Sequence, residues 1–152
     1  MFSIIRIRGN VDMMKGFKDT LRMLKLDAPH HCILLPDEPS YKGMLEKMRN
    51  YITFGEIDKP TLVELLRKRL RLNNEERVSE DSLKVIFGHN SYEELADALL
   101  SGKIKLSDFK NIKRIFRLSP PSKGFKSIKS HYPKGDLGYR GVAINGLLKE
   151  MI

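Results

Sequence analysis

One cysteine in 152 residues, Cys32, excludes any disulfide framework within the chain. It stands between His31 and Ile33 in an apolar run, the setting of a buried strand thiol rather than a nucleophile. No apolar run approaches the ~20 residues that cross a membrane. The opening MFSIIRIRG carries Arg6 and Arg8 inside its apolar stretch, too short and too charged for a secretory signal. The expectation is a soluble intracellular protein. His30, His31, His89 and His131 fall in three separate loops without the spacing of metal ligands, so no metal is expected. No Gly-x-Ser-x-Gly elbow is present, and Glu80 and Asp81 sit where helix-entry carboxylates belong. Gly135, Gly138 and Gly141 lack the flanking strand and helix of a phosphate-cradling loop. These residues support neither catalysis nor a bound cofactor. Acid is also scarce over one long stretch: residues 103–141 hold 11 Lys and Arg against two Asp. The rest of the chain carries 17 basic and 17 acidic residues, so the net charge of +9 is a local property.

What is present describes one folded unit of ordinary size, 41% hydrophobic, with seven Phe and five Tyr. FSIIRIR at residues 2–8 alternates as a strand does, with Phe2, Ile4, Arg6 and Arg8 on one face. Met14, Phe17, Leu21 and Leu24 then mark an amphipathic helix from about residue 13 to 26, stopped by Pro29. Cys32 to Leu35 reads as a second strand, a helix begins near Ser40 or Tyr41, and Tyr51 to Ile57 reads as a third strand. The first 57 residues are therefore β-α-β-α-β. Asp58 and Pro60 open a further helix ending in Arg67 to Arg71, whose charge nearby acids offset; this run is read as a solvated helix end, with an RNA contact as the alternative. Ser79 to Phe87 and residues 92–101 form two more helices, the second with Ser91 and Glu94 at capping-box spacing and Gly102 as its stop. Lys113 to Leu118 alternates as a fourth strand, Pro120 and Pro121 end it, and residues 142–152 close the chain as a short helix.

The segment SPPSKGFKSIKSHYPKGDLGYRG, residues 119–141, spaces cations among Gly, Pro and single aromatics with no apolar period. Such a stretch has no core of its own and is expected to order mainly against a polyanion. Lys123, Lys126, Lys129, Lys134 and Arg140 suit phosphates, while Phe125, His131, Tyr132 and Tyr139 suit stacking on unpaired bases. Arg117 leads into this arm. The strand-one face with Arg6 and Arg8, and the helix start at Tyr41, Lys42 and Gly43, are two further candidates.

RIRG at 6–9, YKGM at 41–44, and above all LSPPSKGFKSIKSHYPKGDLGYRG followed by INGLL resemble the large-subunit ribosomal protein L-thirty family. The chain is more similar to its longer archaeal form, whose eukaryotic relative is called L-seven. That resemblance implies an α+β fold: a compact ferredoxin-like β-α-β-α-β core at 1–57, a helical insertion at 58–112, and an added strand, C-terminal basic arm and closing helix at 113–152. It also implies a non-enzymatic structural constituent of the cytoplasmic ribosome, without cofactor, that binds large-subunit rRNA near 5S rRNA beside neighbouring ribosomal proteins. An obligate homo-oligomer is not expected. By the same resemblance the rRNA-facing positions are Arg6, Arg8, Asn10, Tyr41, Lys42, Gly43 and the arm from Ser119 to Arg140. Bacterial members stop soon after the third strand, so they lend no role to 58–112. A tRNA- or DNA-binding module of similar topology is the alternative, followed by a small enzyme for a phosphorylated ligand.

Overall fold

Alternation at the N-terminus produces the central strand of a sheet. The computed structural model describes the backbone of residues 1–152 and the side chains of all but Glu80 and Asp81. Strand β1 is Phe2–Arg6, helix α1 Lys15–Met23, strand β2 His31–Leu35, helix α2 Pro39–Met48 and strand β3 Ile52–Glu56. Both β2 and β3 pair antiparallel with β1, placing Phe2 opposite Leu35 on one side and Glu56 on the other. Phe2, Ile4, Ile33, Ile52 and Phe54 meet α1 and α2 in one apolar layer. This is the expected β-α-β-α-β core.

Local chemistry sets the helix ends differently from the periodic pattern in two places. Helix α1 stops not at Pro29 but at Leu24, after which Lys25 takes a left-handed conformation (φ 57°) and Leu26 donates its N–H back to Leu21. Met14 faces solvent, and Met13 takes the buried place expected of it. Helix α2 starts at Pro39, whose fixed φ and missing N–H cost nothing in the first turn.

Three further helices cover the second face of the sheet. Helices α3 (Lys59–Arg69), α4 (Glu80–Phe87) and α5 (Tyr92–Leu100) are each capped as the sequence indicates: Asp58 accepts from Thr61 N–H, Ser79 from Ser82 and Ser91 from Glu94. The reciprocal arm of the capping box lands one residue early, Glu94 Oε2 accepting from Asn90 N–H at 2.9 Å. The carboxylates of Glu80 and Asp81 lie outside the described side chains. Leu62, Leu66, Leu83, Leu95 and Leu99 join Ile5, Cys32 and Phe116 of the sheet in a single cluster. The helical segment therefore closes the sheet's second face, giving helices on both sides.

Two short edge strands complete the sheet in the order β4-β2-β1-β3-β5. Strand β4 is Phe116–Arg117, shorter than the expected Lys113 to Leu118, because Ile112 and Lys113 pair instead with Leu72 and Arg71. Strand β5, Gly138–Tyr139, lies in the arm and runs parallel to β3. The arm thus folds onto the core, contrary to the expectation that it would order mainly against a polyanion. A short 3₁₀ turn (Gly141–Ala143) then leads into helix α6, Ile144–Met151. Its Asn145 amide donates to Glu56 O and accepts from Asp58 N–H, fixing α6 at the β3–α3 junction. Gly55 has no side chain for a physical reason: a methyl group there would overlap the Gly141 carbonyl. Arg69, in the basic helix end, donates to the carbonyls of Met151 and Ile152 and so ties down the end of α6.

Candidate nucleic-acid interface

The arm is held by its single acidic residue. Asp136 is buried, and its carboxylate accepts from Ser127 N–H at 3.2 Å and from Arg140 Nη2 at 2.7 Å, joining the outgoing and returning limbs. The backbone repeats the tie, with Asp136 N–H to Ser127 O and Leu137 N–H to Ser130 O. Ser127 Oγ accepts from the N–H groups of Lys129 and Ser130, which tightens the turn that presents Lys129. Leu137 is buried, and Phe125 stacks on His30 with centroids 5.8 Å apart and planes 7° from parallel. One leucine, one stacked ring and one ion pair thus supply what periodicity did not reveal. Gly135, Gly138 and Gly141 serve this packing: side chains at the first two would press on Ser130 and on the His131 ring.

Burial divides the predicted cations into two groups. Arg140 lies inside, paired with Asp136 and with its guanidinium 5.3 Å from the Tyr132 ring. Arg6 is also inside, 1% exposed, donating to the carbonyls of Arg8 and Leu26 and to Asn10 Oδ1. Burial lowers its pKa, with Asp27 opposing. Arg6 was expected on an open sheet face beside Arg8, but α1 and the loop after it cover that face, so it organises the end of β1 instead. Asn10 is exposed and engaged by the same guanidinium.

The outward-facing group is coherent. Lys126, Lys129 and Lys134 are exposed, and among the described residues none has a carboxylate partner; Lys126 Nζ donates to Pro133 O at 3.1 Å. Tyr132 is 44% exposed beside them. His131 Nε2 lies 2.9 Å from Asn50 Oδ1, while Arg8 donates to the same residue's carbonyl and sits over the Tyr51 ring. Asn50 therefore joins the end of β1 to the arm, a junction no sequence motif announced. Lys123 contacts Glu150 at 3.5 Å.

Tyr41, Lys42 and Gly43 lie at the opposite end of β1. Lys42 is ion-paired with Asp37 at 2.7 Å and stands over Phe2. From Phe2 a row of rings crosses the strands through Phe54 to Tyr139, at 6.3 and 5.5 Å. Tyr139 is half exposed, and its hydroxyl donates to Glu56, which raises its pKa. Arg117 is on the far edge, beside Glu75. The structure thus brings Arg8, His131, Tyr132 and three lysines together, links Tyr139 to the α2 start, and leaves Arg117 apart. Among the described residues no cluster of His, Cys, Asp and Glu is arranged to hold a metal ion, and no helix is long and apolar enough to cross a membrane.

A family model described as ribosomal protein L30p/L7e matches residues 2–52. Large ribosomal subunit protein uL30 of Archaeoglobus fulgidus is 46% identical over 151 residues, 99% of each chain. The chain belongs to the uL30 family. The uL30 protein of Thermofilum pendens is 44% identical over all of this chain and 99% of its own length. That of Thermoplasma volcanium is 41% identical over all of this chain and 93% of its own. The uL30 family is one of structural, non-enzymatic proteins of the ribosome. Its model ends where β3 begins, whereas these archaeal uL30 proteins match through 58–112 and the arm as well.

Proposed function

We propose that this chain is a structural constituent of the cytoplasmic ribosome's large subunit that binds rRNA through the arm, the Arg8 end of β1 and the α2 start. The observation that carries the reading is the exposed set Lys126, Lys129 and Lys134, without a carboxylate partner among the described residues, on a loop fixed from within by Asp136 and Arg140. Exposed cations neutralise phosphates, and a loop already folded loses less conformational freedom on binding than a disordered tail. Tyr132 and His131 stand beside the lysines as stacking surfaces for unpaired bases. Arg6 and Arg140 are positioning residues in this scheme, and a site near 5S rRNA is part of the same proposal.

The test is binding of the full chain to large-subunit rRNA across a salt series. Each phosphate contact contributes ~0.7–0.9 to the slope of log affinity against log salt. Replacing Lys126, Lys129 and Lys134 with Gln is expected to lower the slope by about 2 to 2.7. A slope unchanged by the triple substitution, or preference for duplex DNA over rRNA in direct competition, overturns the reading.

A further inference from the structure

The net charge is not confined to the arm. At the opposite edge of the sheet, a pocket of about 320 Å3 opens beside β4, lined by Lys25, His31, Lys110, Lys113, Arg114 and Arg117. None of its other lining residues is acidic. These residues arrive from four parts of the chain: the left-handed turn after α1, the start of β2, the loop after the 3₁₀ turn Leu106–Asp108, and β4 itself. His31 pairs across the ladder with Arg117, and its buried Nδ1 has no hydrogen-bond partner among the described residues. A protein gains nothing in stability from gathering five like charges around an opening, since they repel one another. Glu75 offsets part of that repulsion from the rim, at 2.7 Å from Lys113 and 3.1 Å from Arg117, and its own pKa is lowered by them. Lys25 and Lys110 have no carboxylate among the described residues, and Arg114 is engaged with the Ser107 carbonyl.

We propose that this pocket is a second polyanion site, taking the sugar-phosphate backbone of an RNA segment other than the one at the arm. The inference rests on the rRNA-binding reading above. With β4 and β5 at opposite edges of five strands spaced ~4.8 Å apart, the two cationic surfaces face different directions, and the protein serves as a clamp between two RNA segments. Long, flexible lysine and arginine side chains around an open mouth suit a phosphate chain of variable path. A compact metabolite calls instead for fixed donors such as a backbone nest. Glu75 acts as a resident competitor that the backbone phosphates displace.

The test compares four full-length proteins in salt-dependent binding to large-subunit rRNA: wild type, Lys25→Gln/Lys110→Gln, Glu75→Gln, and the arm variant Lys126→Gln/Lys129→Gln. Lys25 and Lys110 are exposed, so their loss is expected to leave thermal stability unchanged, which is measured in parallel. The pocket variant is expected to lower the salt slope by about 1.4 to 1.8, additively with the arm variant. Glu75→Gln is expected to tighten binding about two- to fivefold. In the wild-type complex, Lys25 and Lys110 are expected to resist acetylation along with the arm lysines. A slope lowered by the arm variant but not by the pocket variant overturns the clamp and leaves the arm reading standing. Slopes unchanged in both overturn both. Protection of Lys25 and Lys110 by tripolyphosphate but not by rRNA assigns the pocket to a small phosphate ligand and overturns the proposal.

Discussion

The Cys32 thiol lies at 0% exposure between the sheet and the helices of the second face, and loss of hydration pushes its pKa up to about 12 from an ordinary 9.0. The folded state therefore keeps a proton that the unfolded chain releases above pH 9. Stability contributed by the neutral thiol is complete below that pH and is lost as pH rises toward 12. Two outcomes are expected. A thiol reagent at pH 8 leaves the native protein unmodified and reacts stoichiometrically in denaturant. The stability gap between wild type and Cys32→Ala, measured by urea unfolding, narrows between pH 8.5 and about 11; a constant gap contradicts the assigned burial. The apolar neighbours of Cys32 made this residue readable from sequence. Arg6 was less so: alternation gave its face correctly, but its burial depends on the Leu26 carbonyl and Asn10, which come together only once α1 and its turn have folded back.

Among the elements, the arm departs most from its appearance in the sequence. Its exposed lysines are legible as cations among Gly and Pro. Its internal order is not, because it rests on Asp136 meeting both Ser127 and Arg140, and on a strand of two residues. Removing one partner of a buried ion pair leaves the other charge stranded, at a cost of about 3–5 kcal/mol. Asp136→Ala is therefore expected to destabilise the arm by roughly that amount, seen as accelerated amide exchange across 127–140 and easier proteolysis there. Exchange confined to its wild-type rate would show the pair to be dispensable. Helices were more legible than strands because caps are local: Asp58, Ser79 and Ser91 each act within three residues of themselves. The ends of β4 depend on competition from the distant Arg71–Leu72 segment, which no window of sequence contains. The pocket beside β4 was illegible for the same reason, since it draws on residues 25, 31 and 110–117 at once.

For the whole molecule, acid is the condition that tests how the pieces hold together. His30 lies where the Phe125 stack joins the arm to the core, and His31 lies at the β2–β4 ladder. Burial lowers both pKa values, and among the described residues neither Nδ1 has a hydrogen-bond partner. In each case the unfolded chain takes up a proton near pH 6.5 that the folded state resists, so stability is present above that pH and falls as pH drops below it. Urea midpoints are expected to decline from pH 7 to pH 5. The decline should be smaller in His30→Phe, which keeps a ring against Phe125 but cannot titrate; an equal decline would place the acid sensitivity elsewhere.

The parallel pairing of β5 with β3 also has a consequence for biosynthesis. β3 is complete by residue 56, yet the strand that covers its free edge is not made until residues 138–139, and α6, which finishes the second apolar layer, is made later still. While the intervening 80 or so residues are synthesised, the nascent chain carries an open strand edge and an unfinished core. Such an edge is a template for pairing with other chains. A chain cut short before α6 is therefore expected to leave the second apolar layer unclosed against β3 and α3, and so to aggregate more readily than the full chain.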